Sequence, residues 1–286
     1  MKGFLTTFSA FLAVTMASPI MRRAGVSDVA NDMEDLFNGK GECADVGVIF
    51  ARGTFDSGNI GVWVGPQFKA ALAKSLPGKT IAFQGVSATD YKATLLGYLG
   101  EAGSPAGGKS LAETLDFYNQ ACPDTQLIVS GWSQGALVAH RGVAGLAKET
   151  LAQVKGLVTF GDPSGLFAKE LPPVPKGVKV NSQCFVGSVP DPLCAGLGDL
   201  KLPRTPGEVV APFTALPGLA VGAQESAAAA KLVAAFPGQL VTAAAAFAKT
   251  IATAPQRALL TPQHFMYGNK GLTDKAALFV ASVIKA

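Results

Sequence analysis

Leu127-Ile128-Val129-Ser130-Gly131-Trp132-Ser133-Gln134-Gly135 is a short apolar strand that runs directly into a Gly-x-Ser-x-Gly turn. A serine hydroxyl is a weak nucleophile and must be held exposed where a base can reach it. A sharp strand-to-helix turn does this, and it needs almost no side chain at its flanks, which Gly131 and Gly135 supply. Ala136 to Lys148 follows, rich in Ala, Leu and Val and free of proline, as the helix after such a turn should be. Ser133 is therefore the candidate nucleophile; an ordinary strand–helix turn is the bland reading of the same pentapeptide.

Outward from this turn, short β-rich runs alternate with helical patterns. Strands are expected at Val46–Ala51, Lys79–Phe83, Gln126–Ser130, Gly156–Phe160 and Val178–Phe185. Helices are expected at Val64–Ser75, Gly108–Ala121, Gln134–Lys148 and Thr273–Ile284. Apolar runs without alternation are buried on both faces, which means a parallel sheet covered by helices. The fold class is thus α/β, with a central parallel sheet in a three-layer sandwich. Residues 195–260 break the pattern with runs such as Ala227–Ala230 and Ala243–Ala246. This stretch reads as an Ala/Pro-rich, mainly helical excursion that either packs on the core or forms a lid. Prolines 203, 206, 212, 217, 237 and 255 argue against long continuous helices within it.

The chain has 286 residues, 49% hydrophobic and 15% charged, enough for one large α/β core or two small domains. Its formal net charge of +4 is modest and no dense basic stripe is present, so nucleic acid is not an expected partner. Residues 1–18 carry Lys2, an apolar run from Phe8 to Met16, then Ala17 and Ser18, which fits a secretory signal peptide. Arg22-Arg23 could end a short pro-segment or be a plain surface pair. The mature unit would then be a single domain over 24–286, secreted and monomeric. No other run suits a bilayer span, so no stable membrane insertion is expected. No Asn-x-Ser/Thr sequon occurs. Cys43, Cys122, Cys184 and Cys194 in an oxidising compartment imply two disulfides. Three pairings are possible, of which 184–194 with 43–122 is preferred. A metal site is disfavoured because there is no Cys-x-x-Cys pair and no nearby histidine.

If Ser133 is the nucleophile, a histidine should take its proton. His140 lies seven residues on along the same expected helix, about 10 Å away along the axis, and cannot fold back. It reads as a structural or surface residue, which leaves His264. The orienting carboxylate should lie between them in the chain. Asp162 follows the strand ending at Phe160, and Asp191 sits inside the 184–194 loop, where a covalent staple would hold it rigid. Asp191 is favoured, with Asp162 as the alternative. An oxyanion hole needs fixed donors. The Gln134 N–H is one candidate and Thr54, at the end of the first strand, the other; a helix cap or turn role is the alternative for Thr54.

Cys43-Ala44-Asp45-Val46, Ala51-Arg52-Gly53-Thr54, Gln84-Gly85-Val86, Cys122-Pro123, Gly131 to Gly135, Phe160-Gly161-Asp162-Pro163, Asp191 three residues before Cys194, and His264 with Tyr267-Gly268 occur in this order. Together they resemble the cutinase family of secreted serine esterases. The resemblance implies a compact α/β-hydrolase core without a large lid, and a Ser133–Asp191–His264 triad. It further implies an oxyanion hole from Thr54 and Gln134, and disulfides 43–122 and 184–194. The substrate it implies is cutin or a related lipid-like ester, with no metal or organic cofactor. An acetylxylan esterase is the alternative within the fold. A non-catalytic secreted binding protein on the same scaffold would be expected to lack one of these five groups, and all are present.

Three departures stand out. Trp132 replaces the usual tyrosine, Ser188-Val189-Pro190 lengthens the cysteine loop, and His264 lies 73 positions after Asp191, where the family has a short apolar loop. Most of 195–260 is therefore an insertion at the substrate cleft: a lid, an extension of the acyl site or a binding element.

Overall fold

The computed structural model describes residues 27–205, 207–209, 216–220 and 222–284. The expected signal peptide and pro-segment lie outside the described residues. Five strands, β1 Val46–Ala51, β2 Ile81–Gly85, β3 Gln126–Trp132, β4 Val154–Phe160 and β5 Lys179–Gln183, form one all-parallel sheet in the order β2-β1-β3-β4-β5. The helices are α1 Asp32–Phe37, α2 Gly65–Ser75, α3 Leu95–Leu99, α4 Pro105–Ala121, α5 Gln134–Ala144, α6 Lys148–Gln153, α7 Pro192–Ala195, α8 Ala223–Thr242, α9 Ala244–Thr253 and α10 Leu272–Val283.

Side-chain alternation sends Val46, Val48 and Phe50 of β1 to one face, against Phe68 and Leu72 of α2 and Ala276 and Val280 of α10. Ile49 and Ala51 face the other side, against Leu111 and Leu115 of α4 and Val138 and Val143 of α5. Burial of these apolar faces on both sides makes the three layers expected from the unalternating strands. A bulge in β4 pairs Leu127 with Val154 and Ile128 with Gly156, which returns Val154 to the face of Leu127. β5 forms one edge and exposes Lys179 and Val180; a charged lysine on an edge strand discourages pairing with other chains.

The single helix expected over 134–148 is two. α5 ends at Ala144, Gly145 caps it, and α6 starts at Lys148. The five-residue α3, too short to show a helical period, starts at Thr94, whose hydroxyl accepts from the Gly97 N–H at 3.1 Å. The expectation that proline would prevent long helices in 195–260 is wrong for α8, a continuous 20-residue helix with Pro237 inside it. Pro237 and Gly238 lie on its exposed side while Leu232 and Phe236 are buried. Packing of that buried stripe outweighs the bond that the missing Pro237 N–H cannot make. α8 and α9 meet at 87° around Ala243. No single helix among the described residues is long and apolar enough to cross a membrane.

Both disulfides form with the preferred pairing, Cys43–Cys122 and Cys184–Cys194. The first ties the entry to β1 to the end of α4. The second closes the loop between β5 and α7, which carries Asp191.

Candidate active site

Strand order reverses direction between β1 and β3, and the crevice beyond their carboxyl ends is where open parallel sheets bind ligands. β3 delivers Ser133 there. Its backbone is held at φ 58°, ψ −124°, outside the regions a non-glycine residue prefers. The turn survives because its flanks are bare: a Cβ on Gly131 would strike the Gly135 carbonyl, and one on Gly135 would strike the Ala51 carbonyl. The Ser133 N–H donates to the Phe160 carbonyl at 2.9 Å, which fixes the turn to β4.

His264 stands on a 3-10 turn, Pro262–Phe265, and is 2% exposed. Its Nδ1 lies 2.7 Å from Asp191 Oδ2. Asp191 is fully buried and caps α7: its Oδ1 accepts from the Leu193 N–H at 3.1 Å. The Tyr267 hydroxyl donates to the same Oδ2 at 2.6 Å and accepts from the Phe185 N–H at 3.2 Å. Burial alone would raise the Asp191 carboxyl pKa. The adjoining His264 and the bonds from His264, Tyr267 and the Leu193 N–H overcome it and hold the group below the usual carboxylate range. The same burial, with Asp191 alongside, pushes the Tyr267 phenol far up, so it remains a donor.

Trp132 is tied to His264 as well. Its indole N–H donates to the His264 carbonyl at 3.0 Å, and the two rings lie 5.4 Å apart. His264 Nε2 is buried and bonds to no protein atom among the described residues, although Ser133 and His264 border one pocket. The structure thus joins His264 to Asp191 and places Ser133 beside them without a Ser133–His264 hydrogen bond.

The remaining histidine and aspartate pair with each other. His140 Nε2 lies 2.8 Å from Asp162 Oδ2, and both residues are buried. Burial opposes charge on Asp162. The bond and proximity of His140, with the Ser164 N–H on Oδ1 at 2.9 Å, prevail and lower its pKa. The alternative carboxylate is thereby occupied, and His140 is its buried hydrogen-bond partner rather than a surface residue.

At the end of β1 the Thr54 hydroxyl donates to Gln134 Oε1 at 2.9 Å, so the two expected oxyanion donors are linked. As the first residue of α5, Gln134 has an N–H with no acceptor within the helix. Two residues beyond Thr54, Asp56 accepts from the Ser57 and Val62 N–H groups through Oδ1, at 3.0 and 2.9 Å. Burial, only partly offset by those bonds and by Arg52, pushes the Asp56 pKa up to about 7. The pocket above Ser133 is lined by Leu95, Leu99, Leu193, Leu232, Phe236 and Phe247. Such a wall suits an apolar chain better than a sugar.

Reading the sequence placed Tyr267 only as a flank of His264. Nothing in spacing links it to Asp191, 76 residues away. The Trp132 bond to the His264 carbonyl was equally hidden, since it depends on how the two loops dock.

A model of the cutinase family matches residues 42–203. The chain belongs to the cutinase family. Among cutinases, "Cutinase cut1" of Trichoderma harzianum is 37% identical over 163 residues, 56% of this chain and 64% of that relative. The "Cutinase" of Botryotinia fuckeliana is 43% identical over 121 residues, 42% of this chain and 58% of that one. The chain therefore spans less than two thirds of the length of these two cutinases. A solved Trichoderma reesei cutinase in complex with a C11Y4 phosphonate inhibitor is similar at 32% identity and a TM-score of 0.49, covering 73% of this chain and 80% of that one. The family match ends at residue 203, so α8 and α9 lie beyond it.

Proposed function

We propose that the protein is a secreted, monomeric serine esterase that hydrolyses carboxylic esters of lipid-like character, cutin among them. The observation that carries this reading is the buried His264–Asp191 pair beside a strained Ser133 on a Gly-x-Ser-x-Gly turn, in a chain of the cutinase family.

The geometry supports the following steps. As an ester carbonyl settles over Ser133, His264 Nε2 closes on the hydroxyl and takes its proton while Oγ attacks the carbonyl carbon. Charge collects on the carbonyl oxygen, where the Gln134 and Thr54 N–H groups receive it. Asp191 holds the imidazole through Nδ1 and stabilises the imidazolium. His264 then protonates the departing alcohol. Water, activated by the same imidazole, attacks the acyl-enzyme and releases the acid and free Ser133.

The apolar lining favours an aliphatic acyl chain over acetylated polysaccharide. Hydrolysis of p-nitrophenyl butyrate by the wild type and Ser133→Ala tests the reading. The variant should lose essentially all turnover, and unchanged turnover would sink the proposal.

A further inference from the structure

Ser133 is 7% exposed, and the space above it is walled by Leu232 and Phe236 of α8 and Phe247 of α9. That space amounts to about 40 Å³, room for only a few water molecules. That space is too small for a long aliphatic chain while the two helices stay in place.

Much of what holds the helices down is apolar, as in the 6.1 Å contact between the Phe236 and Phe55 rings. Hydrogen bonds to the core run from the Leu95 N–H to Gln239 Oε1 at 3.3 Å and from Gln67 Nε2 to Glu225 Oε1 at 3.2 Å. The outer face is unusual for a helix that meets water. Between residues 223 and 253 the one acidic residue, Glu225, is buried; half of the exposed positions are alanine, and the only exposed charges are Lys231 and Lys249, beside the uncharged Gln224, Ser226, Thr242 and Thr253. A helix beside water ordinarily carries a charged face, whereas this pair is apolar inside and carries only two charges, both positive, outside.

We propose that α8 and α9 form a lid whose outer face docks on the surface of an aggregated long-chain ester, and that docking carries the lid off Ser133. In water, opening would expose Leu232, Phe236 and Phe247; against an ester surface the same side chains enter an apolar phase, so the cost of opening falls. Hydrolysis there leaves carboxylates at the surface, which Lys231 and Lys249 match in charge. The inference deepens the esterase reading and rests on it.

Two measurements test it. A Cβ at Gly100 would lie 3.5 Å from that of Ala246, within disulfide reach. Gly100→Cys/Ala246→Cys, oxidised and with the cross-link verified by mass spectrometry, should hydrolyse p-nitrophenyl butyrate at least about tenfold more slowly than wild type. Mild reductant should restore the rate, with wild type treated in parallel. An oxidised variant as fast as wild type overturns the lid. Wild type without any esterase activity would fail the esterase reading instead, and the second measurement needs no turnover. Ser133→Ala protein should float with a triolein emulsion. Adding Ala230→Glu, Ala234→Glu and Ala248→Glu, all at exposed positions, should weaken that binding about tenfold or more. Equal binding overturns the docking face.

Discussion

Tyr267→Phe removes one oxygen from a fully enclosed junction. The lost hydroxyl donates to Asp191 Oδ2 at 2.6 Å, accepts from the Phe185 N–H at 3.2 Å and lies 3.5 Å from Cys194 Sγ. A hydrogen bond to a charged group contributes about 1.5–3 kcal/mol net, and leaving the Phe185 N–H unpartnered adds a further cost of about 1 kcal/mol. The variant should therefore unfold about 2.5–4 kcal/mol more easily in urea, with an unchanged slope against denaturant. Catalysis should respond in a way that general destabilisation would not. Asp191 Oδ2 is shared between Tyr267 and His264, so without the phenol the carboxylate keeps more of its charge for the imidazolium. The acid limb of the kcat/KM profile on p-nitrophenyl butyrate should move to higher pH, and kcat should fall about tenfold as His264 loses its fixed partner geometry. KM should change little, because Tyr267 does not line the pocket. Wild-type stability with an unmoved acid limb would refute the argument that Tyr267 positions the acid.

Asp56→Asn should flatten the pH dependence of stability. The wild-type carboxyl has its pKa raised from 3.8 to about 7, so its stabilisation is full below about pH 4 and is lost as pH rises through 7. Relative to the variant, wild type should lose about 4 kcal/mol between pH 4 and 8 by chemical denaturation; parallel curves would contradict the raised pKa. Trp132→Phe strips the His264 carbonyl of its 3.0 Å donor and should cost about 1–3 kcal/mol in stability together with a lower kcat, read by calorimetry and kinetics. Cys184→Ser/Cys194→Ser opens the loop that carries Asp191 and should lower stability by about 3 kcal/mol on the chain-entropy account. Its kcat should fall too, and a variant with wild-type kcat would show that the staple is not needed to hold the acid.

The centre of the sheet was legible because β1, β3 and β4 are apolar runs buried on both faces. The Ser133 turn was legible because two bare flanks are a steric demand written into the sequence. Counting histidines pointed to His264, and the structure pairs His264 with Asp191 and His140 with Asp162. What stayed hidden depends on tertiary docking. The reach of Tyr267 to Asp191 and of Trp132 to the His264 carbonyl spans 76 and 132 residues, and no local period encodes either. α8 was misread because proline propensity is a local penalty, while the buried stripe of Leu232 and Phe236 that outweighs it is a property of the packed chain. The cover that α8 and α9 place over Ser133 follows from the same packing, and spacing alone showed only that an insertion stands there.

The central claim is that Ser133 is a nucleophile activated by His264. Treating the protein with a p-nitrophenyl alkylphosphonate, followed by peptide mass spectrometry, tests it most directly. The account predicts a covalent adduct confined to Ser133, with release of p-nitrophenol, absent from Ser133→Ala and much slower to form in His264→Ala. An unlabelled Ser133, or labelling at the same rate without His264, would contradict it.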